Sequence, residues 1–313
     1  MRKYGVGLVL VVVSALVGLA LARAQSQPQK GSAPQTAPAD VTEKIQELSS
    51  ADPVKRAAAA CALGKLGDRA APAIPALVNL MDDGTRVDPQ QVCYREYRAE
   101  VNQEPEFAGL KEPSPGEAAV QTLVALGQPS VEPLIAALKD SRWRMKKNAA
   151  WALAQIKDHR ALQPLIAALK DETWQVRAYS AAALGQQRDK SVTEPLIAAL
   201  NDAQPAVRWF AASSLGELRD SRAVEPLIGV LKDSSPRTRA FAAASLGQLR
   251  DSRTVLPLID ALKDENPQVR MYAAASLGQQ RDNRARQALN SALNDESQQV
   301  RFYARAALDQ IRD

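Results

Sequence analysis

The stretch Asp220–Arg250 reads DSRAVEPLIGVLKDSSPRTRAFAAASLGQLR. Apolar residues in its first half have the i, i+3, i+4, i+7 spacing of an amphipathic helix, at Val224, Leu227, Ile228 and Leu231. The second half has a similar helical spacing at Thr238, Ala242, Leu246 and Leu249. Asp220 or Ser221 suits the cap of the first helix, and Pro236 suits the start of the second. The stretch therefore predicts a helical hairpin whose one apolar face is too small to fold alone.

Close variants of this hairpin recur every 31 residues along the chain. The prolines of the first helix keep this spacing at Pro133, Pro164, Pro195, Pro226 and Pro257. The glycines of the second helix keep it at Gly185, Gly216, Gly247 and Gly278. Stacking such hairpins buries the apolar face of each against its neighbours. We therefore predict an all-α fold, an α-solenoid of about eight units.

The units are not all regular. The first extends from about Val41 to Gly67, the second begins with a helix at Ala70–Met81, units three to seven cover Ser130–Arg281, and the eighth is Asn283–Asp313. In the eighth unit, Arg286 and Asn290 replace the apolar Val224 and Ile228 of the sixth. A terminal unit has no neighbour to cover its outer face, so we interpret residues 283–313 as a C-terminal cap.

Residues 84–116 interrupt the second unit with a polar, proline-containing insertion that carries Tyr94, Tyr97 and Phe107. It is either a loop near a binding face or a tolerated surface loop. Cys61 and Cys93 are the two cysteines of the chain, and Cys93 lies in this insertion. They either form a disulfide that holds the insertion over the N-terminal end of the solenoid, or they are two unrelated thiols.

The N-terminus has the pattern of a secretory signal. Arg2 and Lys3 precede an apolar run, and Ala22-Arg23-Ala24 gives the small-x-small pattern of a cleavage site. We predict a signal peptide at 1–24, either cleaved or kept as a single membrane anchor, and a flexible Pro/Gln/Ser/Ala-rich linker at 25–40. Both readings place the rest of the chain outside the cytoplasm, in a bacterial periplasm or secreted.

Charge and composition exclude several function classes. The chain has 313 residues, 24% of them charged, and a net charge of +5. Removal of 1–24 takes three basic residues and no acid, which leaves 37 basic and 35 acidic side chains. This near-neutral balance argues against nucleic acid as the partner. His159 is the single histidine, and we expect it to be an exposed loop residue.

The EPLIxAL, D-x-x-P-x-VR and AAxxLG blocks resemble the HEAT family, in particular the short HEAT-like repeats first associated with phycobilisome lyases. The resemblance covers about 270 residues and implies the solenoid fold. Deoxyhypusine hydroxylases resemble this fold as well, but they bind iron through His-Glu pairs, and no such pair occurs here. We expect no catalytic residue, no metal site and no cofactor.

Aligned units give a basic column that is preceded six residues earlier by an aspartate column. The basic residues are Lys146, Arg177, Arg208, Arg239, Arg270 and Arg301. The aspartates are Asp140, Asp171, Asp202, Asp233, Asp264 and Asp295. HEAT proteins have a similar ladder, and a planar guanidinium can bridge carboxylates of adjacent units. The ladder fails at Ala119, directly after the insertion, where we expect an irregularity.

In HEAT-like solenoids the second helices line the concave surface. The columns that we expect to face outward there contain aromatic or large apolar residues at Trp151, Tyr179, Trp209, Phe210, Phe241, Met271, Tyr272, Phe302 and Tyr303. A neighbouring column is mostly glutamine, with Gln155, Gln186, Glu217, Gln248, Gln279 and Gln310. Aromatic rings beside amides are typical of a protein- or peptide-binding groove. The alternative is that the rings pack laterally between successive helices.

These patterns together favour a non-catalytic scaffold or adaptor that binds a protein or peptide, without nucleic acid or membrane and as a monomer. Two alternatives remain open at this point. One is an enzyme or accessory subunit related to bilin lyase-type HEAT proteins. The other is a self-associating structural protein of the envelope.

Overall fold

The computed structural model of the protein describes residues 39–88 and 113–311. Within these ranges sixteen α-helices form eight hairpins, and no strand occurs. The first helices are α1 (Ala39–Glu47), α3 (Ile74–Leu80), α5 (Val131–Ala137), α7 (Leu162–Ala168), α9 (Thr193–Ala199), α11 (Val224–Val230), α13 (Val255–Ala261) and α15 (Arg286–Ala292). The second helices are α2 (Pro53–Lys65), α4 (Pro115–Leu126), α6 (Trp143–Ile156), α8 (Trp174–Gln186), α10 (Pro205–Leu218), α12 (Pro236–Leu249), α14 (Pro267–Gln280) and α16 (Gln298–Gln310).

The sixth unit shows why each hairpin forms. The Asp220 carboxylate accepts a hydrogen bond from the backbone N–H of Arg222 and so starts a short 3₁₀ turn, Ser221–Ala223, that leads into α11. Pro236 is the first residue of α12, whose N-terminus is capped by the Ser235 hydroxyl. These caps satisfy backbone groups that would otherwise lack partners. The predicted proline at the start of the second helix is therefore confirmed. Asp220 caps the 3₁₀ turn before α11 and not α11 itself, whose N-terminus has no side-chain cap.

Neighbouring units join chiefly through their second helices. Each second helix packs along the next one, whereas successive first helices contact each other little. The second helices therefore form the more closely packed layer of the stack, the layer that we predict from the sequence to line the concave surface. At the seam, a Cβ built on Gly216 would lie 2.6 Å from the Ser245 Oγ, so glycine permits this close approach. The same hydroxyl donates to the carbonyl of Ala212 at 2.8 Å, which ties the two helices together.

The junction between the second and third units is irregular, and the irregularity falls at a different residue from the one predicted. Thr122 Oγ1 donates to the carbonyl of Ala60 at 2.7 Å, the same bond that Ser245 makes with Ala212, and this aligns α4 with the other second helices. Gly116, rather than Ala119, then occupies the ladder position. Helix α4 also packs less extensively against α6 than the other second helices do against their neighbours.

The base of the insertion is closed by two backbone hydrogen bonds. Gly116 N–H donates to the carbonyl of Asp83 at 2.9 Å, and Val87 N–H donates to that of Pro113 at 2.9 Å. Helix α4 already begins at Pro115, within the predicted insertion boundary. Similarly, α1 begins at Ala39, one residue before the predicted end of the linker at residue 40.

Several predicted features lie outside the described residues. These are the signal segment 1–24, the linker as far as residue 38, the central part of the insertion at 89–112 with Cys93, and the last two residues. In the part that the structure does describe, no helix is both long enough and apolar enough to cross a membrane.

Candidate protein-binding groove

Helical geometry decides which side chains of the concave layer face outward. At about 100° per residue, positions 210, 213 and 217 of α10 point to one side, and all three are half-buried. Val207, Ala211 and Leu215 of the same helix are fully buried, since they face the first helix or the preceding unit. The open strip on each second helix is therefore narrow and begins at the residue equivalent to Phe210.

The aromatic side chains along this strip form a chain of ring contacts. The ring centroid of Trp209 lies 3.7 Å from that of Phe210 and 4.8 Å from that of Phe241 in the next unit. Phe241 continues to Tyr272 at 6.4 Å, and Tyr179 precedes Phe210 at 6.0 Å. The rings thus connect four consecutive units from α8 to α14.

The exposure of these rings differs from the sequence prediction for two of them. Tyr179 and Trp209 are each only 7% exposed. In the case of Trp209, the residue points toward the following unit and its ring stacks on that of Phe241. Phe302 is 65% exposed, since α16 is the last helix that the structure describes and no described helix covers this ring from that side. The other ring and methionine positions are half-buried, at Trp151, Phe210, Phe241, Met271, Tyr272 and Tyr303. Lateral packing and an open strip therefore coexist.

Two basic residues that the sequence analysis did not single out contact the rings. The guanidinium of Arg237 lies 4.6 Å from the Trp209 centroid and 5.9 Å from that of Phe241. The Lys147 ammonium lies 5.5 Å from the ring of Tyr179 and is itself buried. The unit alignment contained a signal for Arg237, which is four residues before Phe241 and so one helical turn away. Cation–π contacts of this kind place positive charge beside the strip.

The amide column lies one helical turn beyond the strip, and all six of its side chains are half-buried. Gln155 Nε2 donates to Gln186 Oε1 at 3.3 Å, so neighbouring units are also linked here. Glu217 is the one acid in the column. Burial raises its pKa, and the opposing charges of Arg188 and Lys157 do not fully compensate. The column therefore offers mainly neutral donors and acceptors, at Gln155, Gln186, Gln248, Gln279 and Gln310.

The basic and acidic columns meet between units. Arg239 Nε and Nη2 donate to the two oxygens of Asp264 in the next unit at 2.7 and 2.8 Å, and Nη1 donates to the carbonyl of Asp233 at 3.0 Å. Burial pushes the pKa of Asp264 up, but the hydrogen bonds from Arg239 and from Asn266 N–H lower it overall. The pairs of this kind are Lys146–Asp171, Arg177–Asp202, Arg208–Asp233, Arg239–Asp264 and Arg270–Asp295.

The ends of this ladder were only partly visible in the sequence. Arg56 Nε donates to Asp83 at 2.7 Å, a first rung that was missed because its two members are 27 residues apart instead of 25. Arg301, in the last unit, donates to the carbonyl of Asp295 at 2.6 Å. In the unit that follows this glycine, the Asp140 carboxylate accepts hydrogen bonds from Arg142 of its own loop instead. The side-chain hydrogen bond from Arg142 lowers the pKa of Asp140 to about 2.

The remaining predicted residues are placed as follows. Cys61 is bonded through a disulfide. Cys93 lies outside the described residues, so its pairing with Cys61 stays a prediction. His159 is exposed at the start of a 3₁₀ turn. Among the described residues, no group of three or more His, Cys, Asp or Glu side chains is arranged to hold a metal ion.

Helical hairpins that stack through their second helices and are tied by a ladder of ion pairs define an α-solenoid repeat protein. A family model described as HEAT repeats matches residues 111–182, 162–236 and 224–309, and one described as PBS lyase HEAT-like repeat matches residues 55–83. The chain therefore belongs to the HEAT-repeat family. Among curated protein sequences no significant match is found.

The comparison with solved structures finds the following similar chains, among others. Kap121p is 13% identical, with a TM-score of 0.65, over 87% of this chain and 33% of its own. The complex of CpcE and CpcF of phycocyanin lyase from Nostoc sp. PCC7120 is 20% identical over 93% of this chain and 100% of its own, with a TM-score of 0.43. Human deoxyhypusine hydroxylase is 22% identical over 77% and 96%, with a TM-score of 0.32. At such identities the similarity concerns the fold alone.

Proposed function

We propose that this protein is a non-catalytic scaffold or adaptor whose concave surface binds a protein or peptide. The observation that carries the proposal is the open strip of half-buried rings, centred on Phe210, Phe241 and Tyr272, that runs beside a column of amides. Rings held by lateral stacking are already ordered, so that little entropy is lost when a partner packs on them. Glutamine side chains next to them supply adaptable hydrogen bonds.

The interior of the solenoid supports a binding role rather than a reaction. Most buried positions of a regular unit are apolar, and the charges of the ladder are paired within the fold. The surface of the second-helix layer consists of the half-buried rings, the amides and the side chains at its edge. Such a surface can recognise shape and polarity without transferring a proton or activating a nucleophile.

A site-specific photo-crosslinker tests the proposal without disturbing the stacked rings. At Gln248, which is half-buried on the concave side, it should capture a defined partner from the native envelope. At Leu256, which is 58% exposed on a first helix, it serves as the matched control and should capture none. Equal capture at both positions, or capture at Leu256 alone, would contradict the groove assignment.

A second variant relates capture to the rings. Replacing Phe210, Phe241 and Tyr272 by alanine should abolish partner capture, because these side chains form the apolar strip. Circular dichroism at 222 nm should show the helix content retained. Capture by the variant at the wild-type level would assign binding to another surface.

We also propose that the protein acts outside the cytoplasm of a bacterium, as the N-terminal pattern of Arg2, Lys3 and the apolar run to Leu21 indicates. Cell fractionation with and without residues 1–24 tests this. Recovery of both the full chain and the truncated chain in the cytoplasmic fraction would reject export.

A further inference from the structure

Five second helices end in a basic residue with left-handed backbone. These residues are Lys157 (φ 59°), Arg188 (φ 55°), Arg219 (φ 50°), Arg250 (φ 51°) and Arg281 (φ 53°). They follow one another at intervals of 31 residues, one in each of units three to seven, and all are exposed. We refer to them as the basic row. Left-handed backbone is uncommon in residues other than glycine, so five consecutive instances call for a reason.

The first two units show that the fold itself accepts glycine here. Gly67 (φ 57°) and Gly127 (φ 65°) end α2 and α4 at the equivalent position, also with positive φ. Glycine takes this conformation without steric cost, and it is the commonest residue at this place after a helix. A basic side chain therefore adds nothing that the backbone needs. What it adds is charge, and it does so only in the units that carry or border the aromatic strip.

No member of the basic row is in a close ion pair with another described side chain. Each member is followed directly by an aspartate, but that carboxylate caps the next 3₁₀ turn. In the sixth unit, Asp220 additionally accepts hydrogen bonds from Arg222 Nε and Nη2, and this charge-assisted bonding lowers its pKa to about 2. Of the ion pairs between described residues, none involves a member of the row.

The row lies at the end of the second helices where the amide column also lies. Each member stands two residues after the amide column, at the same end of the second helix. Lys157 and Arg188 are close enough to Glu217 to lower its pKa electrostatically, although burial dominates. The concave surface thus has three parallel lines, with rings in the middle, amides beside them and cations along one edge.

We propose that the groove takes an extended, acidic peptide segment that runs along the solenoid axis and carries a carboxylate at every third residue. This proposal rests on the groove function above and specifies its partner. Neighbouring packed helices lie about 8–10 Å apart, which sets the interval between cations. An extended polyproline-type chain has three residues per turn and rises about 9 Å in that turn. Carboxylates at every third position therefore meet successive cations, while the intervening side chains reach the amides and rings.

Fluorescence anisotropy with the full chain and two labelled synthetic peptides tests this register. Both peptides have five glutamates in a Pro/Ser background, spaced at every third residue in one and clustered at one end in the other. We expect the spaced peptide to bind roughly tenfold more tightly, and its affinity to fall as salt is raised. Equal affinity for the two peptides would overturn the register.

A matched pair of variants isolates the row. R219G/R250G removes two row charges and installs the residue found in the first two units. R222S/R253S removes two charges from the same loops, and unit five already has Ser191 at this position. The first variant should bind the spaced peptide about fivefold more weakly, at roughly two- to threefold per charge, with its melting temperature unchanged or raised. The second variant should lose less than twofold in affinity for the spaced peptide. Equal losses in the two variants would mean that only net charge matters, and this would reject the proposal.

The same variants separate this inference from the groove function. If a single-stranded DNA oligomer binds more tightly than the spaced peptide, the row prefers another kind of polyanion, and the proposal is rejected. A partner that crosslinks at Gln248 equally in wild type and in R219G/R250G would also reject it, while the groove function stands. Absence of any crosslink at Gln248, to the envelope partner and to the spaced peptide alike, would reject both.

Discussion

Replacing one ladder arginine should cost a large part of the stability of the solenoid. In R239M, the methionine keeps most of the aliphatic volume but removes both hydrogen bonds to Asp264. The side chains of this pair are 9% and 12% exposed, so the carboxylate would stay mostly buried without its cation. Breaking a buried pair in this way costs about 3–5 kcal/mol. Asp264 keeps the hydrogen bond from Asn266 N–H, so we expect the loss in free energy of unfolding to lie near the lower end of this range.

The terminal unit supplies the control for this experiment. Arg301 makes the same bond to a carbonyl of its own unit as Arg239 does, but among the described residues no carboxylate forms an ion pair with it. We therefore expect R301M to cost only about 1 kcal/mol. Urea unfolding followed by circular dichroism measures both, and R239M should also lower the melting temperature by roughly 6–12 °C. Equal losses in the two variants would refute the idea that the ladder holds units together.

Three further results are expected. G216A should lower the free energy of unfolding by about 1–3 kcal/mol, because its Cβ would collide with Ser245. G229A has open space around it and should raise that free energy by about 0.5–1 kcal/mol. Similar values for the two variants in urea unfolding would contradict the close seam. Burial raises the pKa of Glu217, so the folded state holds that proton more tightly and loses stability as pH rises above the ordinary glutamate range. E217Q should therefore melt higher than wild type at pH 7 and equally below about pH 4, and a pH-independent difference would exclude this cause. Thiol titration of the denatured protein should find no free thiol before reduction and two thiols after it. Two free thiols before reduction would exclude the disulfide between the two cysteines.

The fold was predictable because its determinants repeat. One hairpin with caps at Asp220 and Pro236 is weak evidence, but near copies at a fixed interval average out local ambiguity. The register failed only beside the insertion, where Ala119 was aligned in place of Gly116. Nothing in the local sequence marks that shift, and only the hydrogen bond from Thr122 to Ala60 reveals it.

The positions of the ring residues on the second helices were predictable, but the burial of each ring was not. The spacing placed Phe210 and Phe241 on the concave layer, yet the depth of Trp209 depends on the ring of the next unit, which a column alignment does not show. The basic row was present in the alignment as Lys157 and its successors. It was not singled out because a left-handed residue after a helix is normally predicted from a glycine. An arginine at that position gives no sign of left-handed backbone.

The weak junction between α4 and α6 has a consequence for cooperativity. In a linear array, unfolding propagates through nearest-neighbour coupling and stops where that coupling is smallest. Here the smaller contact coincides with a missing rung, since Gly116 has no side chain to offer Asp140. We expect the two N-terminal units to open as a separate foldon while the six that follow remain protected from hydrogen exchange. The aromatic strip and the basic row lie wholly within the more persistent block, so local opening at the N-terminal end leaves them assembled.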